Sequence, residues 1–163
     1  MTDLVYVVGS QAQTQRALAE AIAASTPRRC EVLALATRGE LFDRLAGAAT
    51  PILVIIDESF VDRGGDDLAL IHELRQRFAD LPIVLAAQRG DVDLAARAIA
   101  AGATDFLVCG ERLRERIVTL FGKLRGLLVA LESNRALGTQ VAQLKEAMHA
   151  RAQIVGRSPE IQR

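Results

Sequence analysis

The 163-residue sequence has only two cysteines, Cys30 and Cys109. They are too few and too far apart for a disulfide scaffold or a cysteine metal site, and they fit a reducing compartment. Neither sign of charge is in excess: 20 Lys and Arg offset 20 Asp and Glu, for a formal net charge of zero. A surface that grips a nucleic-acid duplex is visibly basic, so no direct nucleic-acid contact by this segment is expected. The opening MTDLVYVV has no basic stretch ahead of its apolar run, which argues against a secretory signal. The most apolar late stretch, 117–131, is interrupted by Lys123 and Arg125 and is too short to span a bilayer. A cytoplasmic protein without membrane contact is the expectation. No GxxxxGK[ST] loop and no GxGxxG motif occurs, so Gly9-Ser10 is only a faint echo of a phosphate-binding turn. His72 and His149 stand without a partner at metal-ligand spacing.

What the chain does have is a regular alternation. Half of it is apolar, enough for one full core and a tail. The runs 4–8 (LVYVV), 32–35, 52–56 (ILVII) and 83–85 are continuously apolar, as strands buried on both faces are. A fifth run, 105–108 (DFLV), follows the break at Gly102-Ala103. Between them, 11–24, 40–47, 66–78 and 92–101 show apolar residues three and four apart, for example Leu68, Ile71, Leu74 and Phe78. Strands alternating with helices predict an α/β fold, a doubly wound five-stranded parallel sheet. Function in such folds sits at the carboxyl ends of the strands, here Gly9-Ser10, Asp57-Glu58, Ala86-Ala87 and Cys109-Gly110.

After Glu111 the character changes. No proline occurs from Leu113 to Ala152, which predicts a long C-terminal helix of roughly 40 residues, about 60 Å in length. Its first half is expected to cover the sheet through Ile117, Leu120, Phe121 and Leu124. Its second half has no sheet left to cover. Yet Leu127, Ala130, Asn134, Leu137, Val141, Leu144 and Met148 keep a three-four alternation. With Asn134 and Val141 at a positions and Leu137 and Leu144 at d positions, the pattern favours a parallel two-stranded coiled coil, its register set by the polar Asn. Gly126 and Gly138 each weaken the helix by roughly 1 kcal/mol relative to Ala, so a break near Ser133-Asn134 is compatible with the sequence.

ILVIID ending at Asp57, DLPIVLAA, and AIAAGATDFL resemble the receiver domains of two-component response regulators. The resemblance covers about residues 3–125 and implies the receiver, flavodoxin-like version of the fold. A second resemblance follows at residues 154–159 (IVGRSP), which look like the opening of the AAA+ ATPase domain of NtrC-type activators of sigma-54 RNA polymerase. The organisation implied is a receiver-like domain over 1–125, a linker helix of coiled-coil character over 126–153, and the start of a truncated AAA+ domain over 154–163. ATP would then concern only that ATPase domain.

The family's phosphorylation chemistry requires an acidic pair after the first strand to hold Mg²⁺, an acceptor aspartate, a hydroxyl after the fourth strand and a lysine after the fifth. Carried over strand by strand, the acceptor position falls on Asp57. The acidic pair falls on Gly9 and Ser10, the hydroxyl on Ala86, and the lysine on Cys109, which Gly110 follows instead of the usual proline. Phe106 stands at the switch aromatic. With only Asp57 and Glu58 as nearby carboxylates, Mg²⁺ is not expected to bind and Asp57 is expected to be silent as a phosphoacceptor. The reading is a non-enzymatic pseudo-receiver: a regulatory and dimerisation module of a sigma-54-dependent activator. Its expected partners are a second copy of itself, the ATPase domain that follows, and a regulatory protein. The alternatives are a phosphorylatable receiver using Asp57, and a receiver-like domain that senses a small ligand.

Overall fold

In the computed structural model, residues 2–26, 29–47, 49–61 and 68–161 are described, with side chains described to residue 149 except those of 131, 132 and 134–136. Strands β1 (Asp3–Val8), β2 (Cys30–Leu35), β3 (Leu53–Asp57), β4 (Ile83–Ala87) and β5 (Asp105–Val108) alternate with helices α1 (Ala12–Ser25), α2 (Arg38–Leu45), α3 (Glu58–Val61), α4 (Ala69–Arg77), α5 (Val92–Ala101) and α6 (Leu113–Ile161). The chain divides into two compact units, Met1–Leu124 and Arg125–Arg163.

In the first unit the sheet order is β2-β1-β3-β4-β5, with every neighbouring pair parallel. The continuous apolar runs are explained by what lies on each side. Val5, Val7, Leu53, Ile55, Val84 and Ala86 point into one core, closed by Leu18, Ala21 and Ile22 of α1 and by Ile117, Leu120, Phe121 and Leu124 of α6. The alternate residues Tyr6, Val8, Val54, Ile56, Ile83 and Leu85 point into the other, closed by Leu41, Leu45, Leu70, Ile71, Leu74 and Ala98 of α2, α4 and α5. The four residues of α6 expected to cover the sheet do so.

Local chemistry sets the boundaries. Thr37 caps α2 by accepting from the Glu40 backbone N–H, while the Glu40 carboxylate accepts from Ala36 N–H. Asp91 caps α5 through Oδ1, which accepts from Asp93 and Leu94 N–H. The GATDFL segment owes its residues to one junction. Gly102 ends α5 at φ +119°, and a Cβ there would stand 2.8 Å from the Arg75 side chain. Arg75 Nε donates to the Gly102 carbonyl and its Nη2 to Thr104 Oγ1, which also accepts from Ile83 N–H.

The strand after Leu81 ends at Ala87, two residues beyond the apolar run 83–85 and at the carboxyl end expected at Ala86-Ala87. The helix expected over 66–78 starts at Ala69, and residues 62–67 lie outside the described residues. A one-turn helix, α3, follows Asp57 directly. In the second unit, the backbone is helical through Ser133 and Asn134, without a break, and on to Ile161. Among the described residues, no helix is long and apolar enough to cross a membrane.

Ile55 is fully buried in β3, between β1 and β4. Ile55→Ala is expected to lower unfolding stability by about 2–5 kcal/mol through lost transfer energy and a residual cavity. Urea denaturation checks this; a loss below about 1 kcal/mol would mean that the strand faces are misassigned.

Candidate functional site

The order β2-β1-β3 means that the chain leaves β1 in opposite directions on its two sides, so a crevice opens at the carboxyl ends of β1 and β3. Gly9 and Ser10 follow β1, and Asp57 closes β3. Asp57 is 1% exposed, a buried carboxylate, and burial is costly for a charge that lacks partners. Its partner is Ser59, whose Oγ donates to Asp57 Oδ2 at 2.7 Å, in the short range of charge-assisted bonds. Ser10 Oγ donates in turn to Ser59 Oγ at 3.1 Å. Because Ser10 occupies an acceptor site on Ser59, the Ser59 proton is left for the carboxylate.

Gly9 is in close contact with the same group. A Cβ on Gly9 would lie 3.0 Å from Asp57 Cβ and 3.3 Å from Oδ2, tighter than ordinary packing, so that Asp57 would have to give by a few tenths of an ångström. Gln15 fixes the backbone there, its Nε2 donating to the carbonyls of Gly9 and Leu35, each at 3.0 Å. On the β4 side, Gln88 N–H donates to Glu58 Oε1 at 3.4 Å, and Gln88 Nε2 donates to Thr14 Oγ1, which donates to Gln11 Oε1. Thr14 and Asp57 are the buried polar residues of the described chain. A cleft of about 380 Å³ at Thr14 is lined by Gln11, Gln13, Thr14, Gln88, Cys109 and Leu113 among others.

Of the positions proposed from sequence, Gly9, Ser10, Asp57 and Cys109 do meet at this edge. Ala86 stands opposite Asp57 in the β3–β4 register but turns into the core against α1 and α6. The last residue of β4 is Ala87, one later, and neither residue offers a hydroxyl. Cys109 directly follows β5, and its N–H donates to the Ala87 carbonyl at 2.7 Å. Burial, and then the carboxylates of Asp57 and Glu58, push its thiol up from 9.0 to about 11, with Arg116 opposing them. The thiol is therefore neutral where the family pattern has a cation. Phe106 lies opposite Leu85 in β5, half-buried against the core beneath α4 and α5. Ser59, Thr14 and Gln88 were not anticipated. The one sequence signal available for the first is a hydroxyl two residues beyond a strand-ending Asp.

Mg²⁺ takes a near-octahedral shell of hard oxygen donors, anchored by carboxylates. The edge supplies Asp57, engaged by Ser59, and Glu58, engaged by the Gln88 N–H, with a glycine and a serine after β1. Among the described residues, no cluster of three His, Cys, Asp or Glu could hold a metal ion. The donor set does not fit Mg²⁺.

In the second unit, Leu127, Ala130, Leu137, Val141, Leu144 and Met148 are all exposed, Leu144 and Met148 to 63% and 65%. The side chain of Asn134 lies outside the described residues, as do those of 154–163.

No protein-family model matches the chain. It is 36% identical over 102 residues to the C4-dicarboxylate transport transcriptional regulatory protein DctD of Pseudomonas aeruginosa, covering 61% of this chain and 21% of that protein. A response regulator from Thermotoga maritima superposes with a TM-score of 0.64 at 26% identity, covering 76% of this chain and 98% of that one. NtrX from Brucella abortus superposes with a TM-score of 0.69 at 21% identity, covering 82% of this chain and 30% of that one. The first unit is a receiver domain of the response-regulator type. It is related in sequence to DctD and in fold to NtrX, and the chain spans only about a fifth of the one and under a third of the other.

The raised thiol has a pH signature. Stability tied to Cys109 is fully present below its unfolded value, and is lost as pH rises through 9 towards about 11, because the unfolded thiol ionises first. Chemical denaturation between pH 8 and pH 11 is expected to show this decline, and Cys109→Ala to flatten it. An equal slope in both proteins would mean that the thiol is solvated.

Proposed function

We propose that this chain is a regulatory and dimerisation module of a sigma-54-dependent transcriptional activator, acting through protein contacts and without phosphorylation. The observation that carries this reading is the bonding of Asp57. Its carboxylate takes a hydroxyl donor from Ser59 at 2.7 Å, at an edge where glycine, serine, alanine and cysteine stand in place of the acidic pair, the hydroxyl and the lysine. An acyl phosphate on Asp57 adds close to two negative charges beside Glu58 with no lysine or metal to balance them. Losing one preorganised transition-state donor costs about 10²–10³ in rate, and several are missing here. The module is not an enzyme in this reading. Its partners are a second copy of the chain, the ATPase domain expected to follow, and a regulatory protein, all in the cytoplasm. The likeness to DctD, a transcriptional regulatory protein, and to NtrX supports that context.

Incubation with acetyl phosphate and Mg²⁺ tests the chemistry. The expected result is no mass increase; one phosphoryl group that disappears in Asp57→Ala would establish the rival reading, a phosphorylatable receiver.

The dimer is proposed to form along the stripe from Leu127 to Met148, as a parallel pair. Leu137 and Leu144 then meet their own copies across a two-fold axis, so each substitution enters the seam twice. Leu144→Glu sets two carboxylates in a dry interface, where burial and like-charge repulsion act together. It is expected to yield monomers, whereas Gln143→Glu, on the outer face, leaves the assembly intact. Light scattering measures the molar mass; a Leu144→Glu chain as dimeric as its parent would move the contact elsewhere.

A further inference from the structure

We infer that Asp57 anchors a neutral hydroxyl chain, Ser10–Ser59–Asp57, that closes the carboxyl edge of the sheet and keeps divalent cations out of it. The inference deepens the phosphorylation-free reading and rests on it, giving the buried carboxylate a positioning role in place of a reactive one.

Three contacts support it. Gly9 leaves Asp57 its room, since any side chain at position 9 begins with a Cβ 3.0 Å from Asp57 Cβ and Asp57 would have to give by a few tenths of an ångström. Asp57 thus crowds the first position after β1. Ser59 Oγ holds Oδ2 at 2.7 Å, and Ser10 Oγ, at 3.1 Å, orients that hydroxyl by donating to it. The carboxylate is thus held by a hydrogen bond from one neutral donor, itself oriented by a second, and the segments after β1 and β3 are tied to each other. A cation entering here finds Asp57 Oδ2 already held by Ser59 and Glu58 Oε1 by the Gln88 N–H, and the turn after β1 adds only the neutral hydroxyl of Ser10, a poor return for an ion that gives up water reluctantly.

Thermal unfolding of the full chain with and without millimolar Mg²⁺ tests the lock, read as the midpoint. The parent is expected to melt at the same temperature in both conditions. Ser59→Ala lowers the midpoint by about 5 °C or more, as the loss of a hydrogen bond to a buried charge does, and Ser59→Thr recovers most of it. Gly9→Asp lowers the midpoint without rescue by Mg²⁺, because its clash is steric. Ser10→Asp, which replaces the neutral head of the chain with a second carboxylate, lowers the midpoint in the absence of Mg²⁺ and regains it when Mg²⁺ is added. An unchanged midpoint in Ser59→Ala, rescue of Gly9→Asp by Mg²⁺, or no rescue of Ser10→Asp overturns the inference. A Mg²⁺-dependent rise in the parent without phosphoryl uptake overturns the lock alone; phosphoryl uptake at Asp57 overturns both readings.

Discussion

A parallel sheet covered on both faces leaves almost no place for polarity except its ends. Every side chain of β3 and β4 is buried; Leu53–Ile56 and Ile83–Ala86 alternate between the two cores, and a polar group in mid-strand has no water to bond. The strand termini are where backbone pairing ends and helices begin. With β1 and β3 adjacent at the point where the strand order reverses, Asp57 and the Gly9-Ser10 turn meet by topology alone. The fold brings these groups together whether or not they carry the residues that phosphoryl transfer needs.

The chemistry at that junction follows from a single requirement, that a carboxylate 1% exposed be satisfied. A receiver with a full complement of site residues would satisfy it with a cation. Here hydroxyls do so, and the surrounding groups agree with that choice. Thr14, Gln11 and Gln88 form a second neutral chain beside the first, and Cys109 keeps its proton because burial, and then Asp57 and Glu58, disfavour a thiolate. No buried side-chain nitrogen or oxygen among the described residues lacks a partner.

The architecture was legible because burial writes itself into strands as continuous apolar runs and into helices as a three-four period. Both signals are strong in this chain. The four α6 residues expected to face the sheet do so, and Gly102 marks a junction that only a residue without a Cβ fits. What was not legible depends on single bonds. Nothing in the pattern of hydropathy marks the one-turn α3 that follows Asp57, because four residues cannot show a period. Ser59 and Gln88 read as ordinary surface residues until the turn of α3 brings the hydroxyl back onto Asp57.

A regulatory domain that forgoes a covalent signal must draw its switching energy from contacts. Shifting a two-state element from 1:99 to 99:1 takes differential binding of about 5.5 kcal/mol, however tightly the partner binds in total. In the proposed dimer, a seam of about three heptads has Ala130 and Asn134 among its members and Gly138 weakening its helix by about 1 kcal/mol, which puts it near the short end for a self-sufficient pair. Joining it to a second self-associating domain raises the effective concentration of its partner, and avidity can then exceed either affinity by 10²–10⁴ with no new contact. A module near balance responds to modest bias from a bound protein or a following domain, which is the property that phosphorylation otherwise provides.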